Sequence, residues 1–182
     1  MKKLFFVRHG LSEANVKKFF AGRSETPLTG EGHLQAKIAG KKIRDTGHMF
    51  DLIISSPLSR ARHTAEYIAE AVDYSPTMIE YSDLFIERSW GVLEGTSVDD
   101  FKDNYPIEAI EKVEGVETLV EMELRAQKAL AYLNAKVEDN ILVVSHGSFG
   151  RALVRVVNGQ HYMHEYSKEA ITIGNCEIIE LI

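Results

Sequence analysis

Residues 4–15 read LFFVRHGLSEAN, and the rest of the chain is organised around this stretch. Four apolar residues at positions 4–7 lead directly into Arg8, His9 and Gly10. An apolar run this short, rich in aromatic and branched side chains, is more typical of a buried strand than of a helix. The polar residues would then lie at the carboxyl end of the strand, where open α/β sheets bind ligands. There Arg8 can bind an anion, His9 can act as a nucleophile or proton carrier, and Gly10 allows a sharp turn.

Two later apolar runs also end in polar residues. Residues 52–55 (LIIS) lead into a helix start that carries Arg60, and residues 141–145 (ILVVS) lead into His146. Because the carboxyl ends of parallel strands face one crevice, we expect Arg60 and His146 to converge on His9.

Helical patterns separate these strands. The predicted helices run from Thr29 to Gly47, from Ser59 to Val72, from a capping box at Thr118 and Glu121 to about Val137, and from Ser148 to Val157. Weaker patterns predict strands at residues 78–81, 170–173 and 177–182. Leu34, Ile38 and Ala39 keep helical spacing, whereas Arg62 and His63 are expected to point away from the crevice. The alternation of strands and helices predicts an α/β fold, with three α/β/α layers around a mostly parallel central sheet.

The length of 182 residues suits one domain, which we expect to span residues 1–182. Residues 84–117 lack a regular pattern apart from a helical turn predicted after Ser97. They are predicted to form a lid-like insertion, of which residues 99–117 are strongly acidic.

The charge balance limits the classes of partner. A formal net charge of −6 argues against a general nucleic-acid binder or a protein that binds acidic membranes. Any anion site must therefore be a local basic cluster. Cys176 is the only cysteine, which excludes an intrachain disulfide, and no apolar stretch is long enough to span a membrane. A cytoplasmic location is the default expectation, and the sequence predicts no oligomeric state.

Four phrases in order give the chain a wider resemblance. They are Arg8-His9-Gly10, the phrase SPLSRARHTA at residues 56–65, the phrase ERSWGVLEG at residues 87–95, and Ser145-His146-Gly147. In this combination the chain closely resembles the histidine phosphatase superfamily, the phosphoglycerate-mutase-like family. The resemblance covers most of the chain and implies the phosphoglycerate-mutase-like form of the α/β/α fold.

This resemblance implies a role for each motif residue. His9 would be the nucleophile that becomes phosphorylated, and Glu87 the general acid. Arg8, Arg60 and His146 would hold the phosphoryl group. Further substrate contacts are expected from Asn15, Ala21, Gly22, Gly147 and Ser148. The implied substrate is a small phosphorylated metabolite, and neither a cofactor nor a metal ion is expected.

General physical chemistry is consistent with these roles. Phosphoryl transfer depends mainly on positioning and on charge stabilisation, which arginine and histidine donors can provide. A nucleophilic imidazole must be neutral, and the nearby charges of Arg8 and Arg60 should lower the pKa of His9. The helix start at Gly147 should add backbone donors to the phosphoryl group.

Three alternative functions remain open. The phosphoglycerate mutases of the family that this chain resembles are longer and carry extra basic residues between the acid loop and the late helix. Here Lys102 and Lys112 are outnumbered by carboxylates in that region, which favours a phosphatase. A non-catalytic phospho-ligand binding module would lack the nucleophile or the acid, and both His9 and Glu87 are present. A metal hydrolase would have arginines directed at its cation, which would repel it.

Overall fold

The computed structural model describes residues 2–160 and 171–182, with the side chains of residues 107 and 108 left aside. Its centre is a five-stranded sheet in the order β3-β2-β4-β1-β5. The strands are β1 (Lys3–Arg8), β2 (Leu52–Ser55), β3 (Glu80–Tyr81), β4 (Asn140–Ser145) and β5 (Ile178–Glu180). All neighbouring strands are parallel except β5, which pairs antiparallel with β1. The predicted mostly parallel sheet is thus confirmed.

Two of the described helices begin at the side-chain caps that the sequence predicts. The helices are α1 (Glu13–Lys17), α2 (Gly30–Asp45), α3 (Ser59–Ala71), α4 (Val98–Asn104), α5 (Leu119–Ala135) and α6 (Gly147–Val157), with short 3-10 helices at Pro76–Met78, Asp83–Phe85, Gly91–Leu93 and Ile107–Lys112. Thr29 caps α2, and the capping box of Thr118 and Glu121 opens α5 as predicted. Both caps accept a bond from a backbone N–H that would otherwise lack a partner.

The alternation of side chains along β1 divides the core into two layers. Leu4 and Phe6 face one side of the sheet and pack with α5 and α6. Phe5 and Val7 face the other side and pack with α2 and α3. Because successive strand residues point to opposite faces, a strand covered on both sides reads as a continuous apolar run. This explains the four apolar residues before Arg8 and gives the three predicted layers.

Helix α2 buries a different face from the one that its large apolar residues indicated. Leu34 and Ile38 are exposed, at 52% and 45%, whereas Ala36, Ala39 and Gly40 are buried. A Cβ added at Gly40 would lie 2.7 Å from the Cβ of Ala71, so α2 and α3 approach too closely for larger side chains. Because α2 and α3 pack so closely, the helix face with small side chains is the one that is buried.

Two of the weaker strand predictions are wrong in part. Of residues 78–81 only Glu80–Tyr81 forms a strand, because Pro76 begins a 3-10 helix that ends at Met78. Residues 171–173 form no strand, and the carbonyl of Ile173 accepts a bond from Arg8 Nη1 at 2.7 Å instead of from a neighbouring strand. Ala170 lies outside the described residues.

Residues 84–117 pass over the carboxyl ends of the strands and form a small separate core together with Phe20. In it Phe101 and Ile110 pack with Phe20 and with the half-buried Trp90 and Val98. Among the helices of the described chain, none has both the length and the apolar composition needed to cross a membrane.

Candidate active site

A cavity of about 840 Å³ opens where β1, α3 and α6 meet residues 84–117. Nine of the ten predicted site residues line it: Arg8, His9, Asn15, Ala21, Gly22, Arg60, Glu87, Gly147 and Ser148. His146 does not line the cavity but lies directly behind it. Residues up to about 140 positions apart in the chain therefore meet at the carboxyl ends of the parallel strands.

His9 is held in one orientation at the end of β1. It is only 3% exposed, and its Nδ1 donates to the carbonyl of Gly10 at 2.7 Å. A carbonyl can only accept, so Nδ1 carries the hydrogen and a neutral ring has its lone pair on Nε2. Gly10 does not adopt a positive φ, and its need for glycine has another cause. A Cβ there would overlap the carbonyl oxygen of Gly32.

The surroundings of His9 keep the ring neutral. Burial, followed by the positive charges of Arg60 and Arg8, holds the pKa of His9 well below its usual value. The predicted effect of the two arginines is thus confirmed, with burial as the larger cause. A neutral imidazole retains the lone pair that a nucleophile needs.

His146 packs edge-on against His9, with 5.0 Å between the ring centroids. Its Nε2 shares a hydrogen bond of 2.8 Å with Ser56 Oγ, and both residues are fully buried. Burial and the charge of Arg60, with smaller effects from His9, Arg125 and Arg8, hold the pKa of His146 well below its usual value. Its Nδ1 and the Nε of Arg8 are buried without a hydrogen-bond partner among the described residues. Ser56 Oγ accepts from the N–H of Leu58 at 3.3 Å, so its hydroxyl can donate to His146 Nε2. In that arrangement Nδ1 carries the ring hydrogen, and both unpartnered nitrogens can donate to an oxyanion.

The two arginines are anchored differently. Arg60 is 1% exposed and donates to the carbonyls of Gly22 (2.7 Å) and Ser24 (2.9 Å) and to the hydroxyl of Thr26 (3.3 Å). Three of its five N–H groups thus hold the loop at residues 22–26, which leaves two for a ligand. Arg8 uses Nη1 for the carbonyl of Ile173.

The loop at residues 21–24 is also fixed by Glu94, for which the sequence predicts no role. Glu94 Oε1 accepts from the N–H groups of Arg23 (2.9 Å) and Trp90 (3.2 Å), and its Oε2 accepts from Ser24 Oγ. Gly22 has φ of 51°, and a Cβ there would overlap the Glu94 carboxylate. The backbone conformation and the lack of space for a Cβ explain why position 22 is a glycine.

Glu87 faces the start of α6. Its Oε1 accepts from the N–H groups of Arg88 (2.9 Å) and Phe149 (3.0 Å), and its Oε2 accepts from that of Ser148 (3.2 Å). The N–H groups of Ser148 and Phe149 thus donate to Glu87, and donation from the helix start at Gly147 to a phosphoryl group stays a prediction. A helix N-terminus attracts the nearest anion, and here that anion is a carboxylate of the protein itself. Oε2 accepts only one of these bonds, so it keeps a lone pair for a further hydrogen bond.

The outer wall of the cavity was not predicted from the sequence. It consists mainly of apolar and aromatic side chains, with a few polar ones: Phe19, Phe20, Trp90, Val98, Lys102, Tyr105, Pro106, Ile110, Arg151, Ile171, Thr172 and Ile173. These residues come from four separate segments, and no local spacing connects them. Only Arg151 has a local spacing that could have predicted it, because it lies one helical turn after Gly147 on α6.

Arg62 and His63 lie outside the cavity, as expected. Arg62 forms an exposed ion pair with Glu66 at 3.1 Å, one helical turn later. The ring of His63 lies near that of His33 on α2, with 6.1 Å between the centroids. Both therefore belong to the outer surface of α3.

The known proteins that are similar to this chain include both phosphatases and phosphoglycerate mutases. The chain matches the histidine phosphatase superfamily (branch 1) over residues 4–182. It is 32% identical over 170 residues to the 2,3-bisphosphoglycerate-dependent phosphoglycerate mutase of Mesorhizobium japonicum, covering 87% of this chain and 82% of that protein. It is also 32% identical over 160 residues to the uncharacterized phosphatase PhoE of Bacillus subtilis, covering 87% of this chain and 79% of that protein.

A solved structure has the same fold. The phosphoserine phosphatase of Entamoeba histolytica, in complex with 3-phosphoglyceric acid, superposes with a TM-score of 0.78 at 25% identity. The match covers 98% of this chain and 89% of that chain. The architecture of that enzyme is thus reproduced here over nearly the whole length.

Proposed function

Since the chain belongs to the histidine phosphatase superfamily (branch 1), we propose that it is a phosphatase that hydrolyses a phosphomonoester through a phosphohistidine at His9. One observation carries this proposal. A buried, neutral His9 lies in the same cavity as Glu87, Arg8 and Arg60. Nucleophile, proton carrier and cationic donors are thus all present around one space large enough for a small phosphoester.

The first chemical step forms the phosphoenzyme. The lone pair of His9 Nε2 attacks phosphorus, the bond from phosphorus to the ester oxygen breaks, and Glu87 gives its proton to the departing alcohol. In the second step water attacks the phosphorus and passes a proton to Glu87. The N–P bond then breaks, the electron pair returns to Nε2, and inorganic phosphate leaves.

The remaining motif residues stabilise the charge that develops on the phosphoryl oxygens. Arg8 and Arg60, which line the cavity, supply charged N–H donors. The family motif adds His146, whose buried Nδ1 lacks a partner among the described residues, as a neutral donor from behind His9. Such donors are already oriented by their protein partners, so little reorganisation is needed in the transition state. Asn15 lines the same space, and its Oδ1 is occupied by the N–H of Ser12, which leaves its amide N–H groups as donors.

The leaving group would occupy the apolar outer wall. Phe19, Phe20, Trp90 and Tyr105 surround this part of the cavity, and Lys102 is the cation that α4 adds. An apolar surface favours a leaving group that can bury carbon atoms. Among small phosphorylated metabolites we therefore expect esters of aromatic or bulky apolar alcohols to react best, with residues 84–117 acting as the lid-like insertion over them.

A phosphoglycerate-type mutase is the second candidate, supported by the 32% identity to the Mesorhizobium enzyme. A mutase must hold a small, highly charged substrate while its second hydroxyl captures the phosphoryl group. Such a substrate needs several cations beyond those at the phosphoryl group. In the outer part of the cavity only Lys102 and Arg151 are cationic among the described residues, and the apolar side chains outnumber them.

Substrate turnover separates the two candidates. The purified protein should release phosphate from naphthyl phosphate with a higher kcat/KM than from phosphoglycerate, because the naphthyl ring buries apolar surface. Each substrate is assayed by free-phosphate detection with and without a chelator, since no metal takes part in the proposed mechanism. Phosphoglycerate isomers are assayed in parallel for isotope transfer in the presence of bisphosphoglycerate. Isotope transfer that outpaces phosphate release would identify a mutase instead.

The low pKa of His9 predicts the pH dependence of the reaction. His9 is neutral above its pKa, so kcat/KM should stay high below the ordinary histidine value of about 6.5 and fall only at more acidic pH. Arg60→Met removes a positive charge, raises the pKa of His9 and moves this acid limb to higher pH. NMR titration of the His9 ring in the free enzyme checks the shift directly. Arg60→Lys keeps the charge, so it should lower the rate but leave the limb in place.

A further inference from the structure

The loop that carries Glu87 rests on an arginine from a distant helix. Arg125, on the buried side of α5, donates through Nη1 to the carbonyls of Leu84 (3.1 Å) and Ile86 (2.6 Å). Its Nη2 also reaches the carbonyl of Glu87 at 3.5 Å. One planar guanidinium thus bridges backbone carbonyls on both sides of the Glu87 Cα, which a point charge could not do.

Glu117 fixes the orientation of that guanidinium. Its carboxylate pairs with Arg125 in a two-point contact, Nε to Oε1 at 2.8 Å and Nη2 to Oε2 at 2.7 Å. The side chains of Arg125 and Glu117 are only 13% and 9% exposed. A two-point ion pair of low exposure has one favoured geometry, so the donors toward the Glu87 loop are oriented in advance.

The same acid also holds the loop after Glu87. The backbone N–H of Glu117 donates to the carbonyl of Ser89 at 3.0 Å, and the Glu117 carbonyl accepts from Arg88 Nε at 2.7 Å. On the other side, Ser145 Oγ at the end of β4 donates to the carbonyl of Phe85 at 2.6 Å. The backbone on both sides of Glu87 is therefore tied down.

From this geometry we infer that Arg125, oriented by Glu117, is a positioning residue that sets the distance between the Glu87 carboxyl and the leaving oxygen. This inference rests on the proposed phosphatase function. Arg125 has no place in the lining of the cavity, so it acts on the reaction through Glu87 and not by contact with substrate. Its loss should therefore resemble a partial loss of the general acid.

Leaving-group dependence distinguishes positioning from a merely structural role. An alkyl phosphate requires proton donation to its departing oxygen, whereas dinitrophenolate leaves without it. Arg125→Lys keeps the charge beside Glu117 but removes the planar fork. It should lower kcat/KM for an alkyl phosphate by about 10²-fold, the size expected from a misplacement of about 1 Å, and should affect dinitrophenyl phosphate much less.

Two more variants test the coupling. Glu117→Gln removes the two-point ion pair and should reduce the rates in the same substrate-dependent way, but less strongly. In a Glu87→Gln background Arg125→Lys should have almost no further effect, because there is no proton left to position. Lys136→Arg is the matched control. Lys136 follows the end of α5 and pairs with Glu80 at 2.7 Å, away from the cavity, so this exchange should leave both rates unchanged.

The outcomes separate this inference from the proposed function. Equal losses on both substrates in Arg125→Lys and Glu117→Gln, or losses that multiply with that of Glu87→Gln, would overturn the positioning role while leaving the phosphatase intact. A wild-type protein without activity on either substrate would overturn the proposed function, and the positioning role with it. Thermal unfolding of each variant shows whether the rates refer to folded protein.

Discussion

Replacing His9 with alanine is expected to reduce turnover of every phosphomonoester by about 10⁴-fold or more, because the covalent intermediate can no longer form. Among the described residues, no other histidine lines the cavity. The ring centroid of His146 is 5.0 Å away, but His146 is fully buried behind His9. Its Nε2 is already hydrogen-bonded to Ser56 Oγ. The effect should fall on kcat, since Arg8 and Arg60 remain in place to bind the phosphoryl group.

Two measurements establish the cause of that loss. Rapid mixing of the wild-type protein with labelled substrate and quenching in alkali should trap a phosphoenzyme that is lost in acid, as expected for phosphohistidine. The His9→Ala protein should trap none, while still binding phosphate in a titration. His33→Ala provides the control, because that ring bonds Tyr67 outside the cavity and its loss should leave turnover unchanged. A His9→Ala protein that folds and turns over at the wild-type rate would contradict the mechanism.

Replacing Glu87 with glutamine should have the second largest effect. The amide keeps the size of the side chain but cannot give a proton to the leaving oxygen. General acid catalysis typically contributes about 10²–10⁴-fold, so kcat/KM for an alkyl phosphate should fall within that range. Dinitrophenyl phosphate, whose leaving group needs no proton, should lose much less.

The measurement is a comparison of kcat/KM across phosphoesters of graded leaving-group pKa. In Glu87→Gln the dependence on the leaving group should become steeper than in the wild-type protein. Glu80→Gln is a suitable control, since Glu80 pairs with Lys136 away from the cavity. An equal loss across the whole series would show that Glu87 supports the site without transferring a proton.

Electrostatics inside the cavity explains why these two residues should dominate. The nucleophile is kept neutral by burial and by two arginine charges. The acid is bound by backbone N–H groups at the start of α6, so its carboxyl has a defined orientation. Neither arrangement requires a bound ligand, and both are therefore present before the substrate arrives.

Much of the fold could be read from local sequence. The apolar runs at β1, β2 and β4, the cap at Thr29 and the capping box at Thr118 all predicted elements that the structure contains. These signals are local because strand burial and helix capping depend on residues a few positions apart. The local pattern was insufficient to predict which helix face is buried, because that depends on the neighbouring helix. Leu34 and Ile38 of α2 are an example, since both are exposed.

The candidate site likewise has a part that could be predicted from the sequence and a part that could not. That Arg8, His9, Arg60 and His146 should meet followed from the sequence by itself, because parallel strands deliver their carboxyl ends to one edge of a sheet. The family motif added Glu87. Only the tertiary structure decided what surrounds them: an apolar outer wall, a helix start occupied by Glu87, and an arginine on α5 beneath the acid loop. The physical reason is that packing brings together residues far apart in the chain, 39 positions for the Arg125 contact and 61 for the Glu87 contact with α6. Such packing leaves no periodic trace in the sequence.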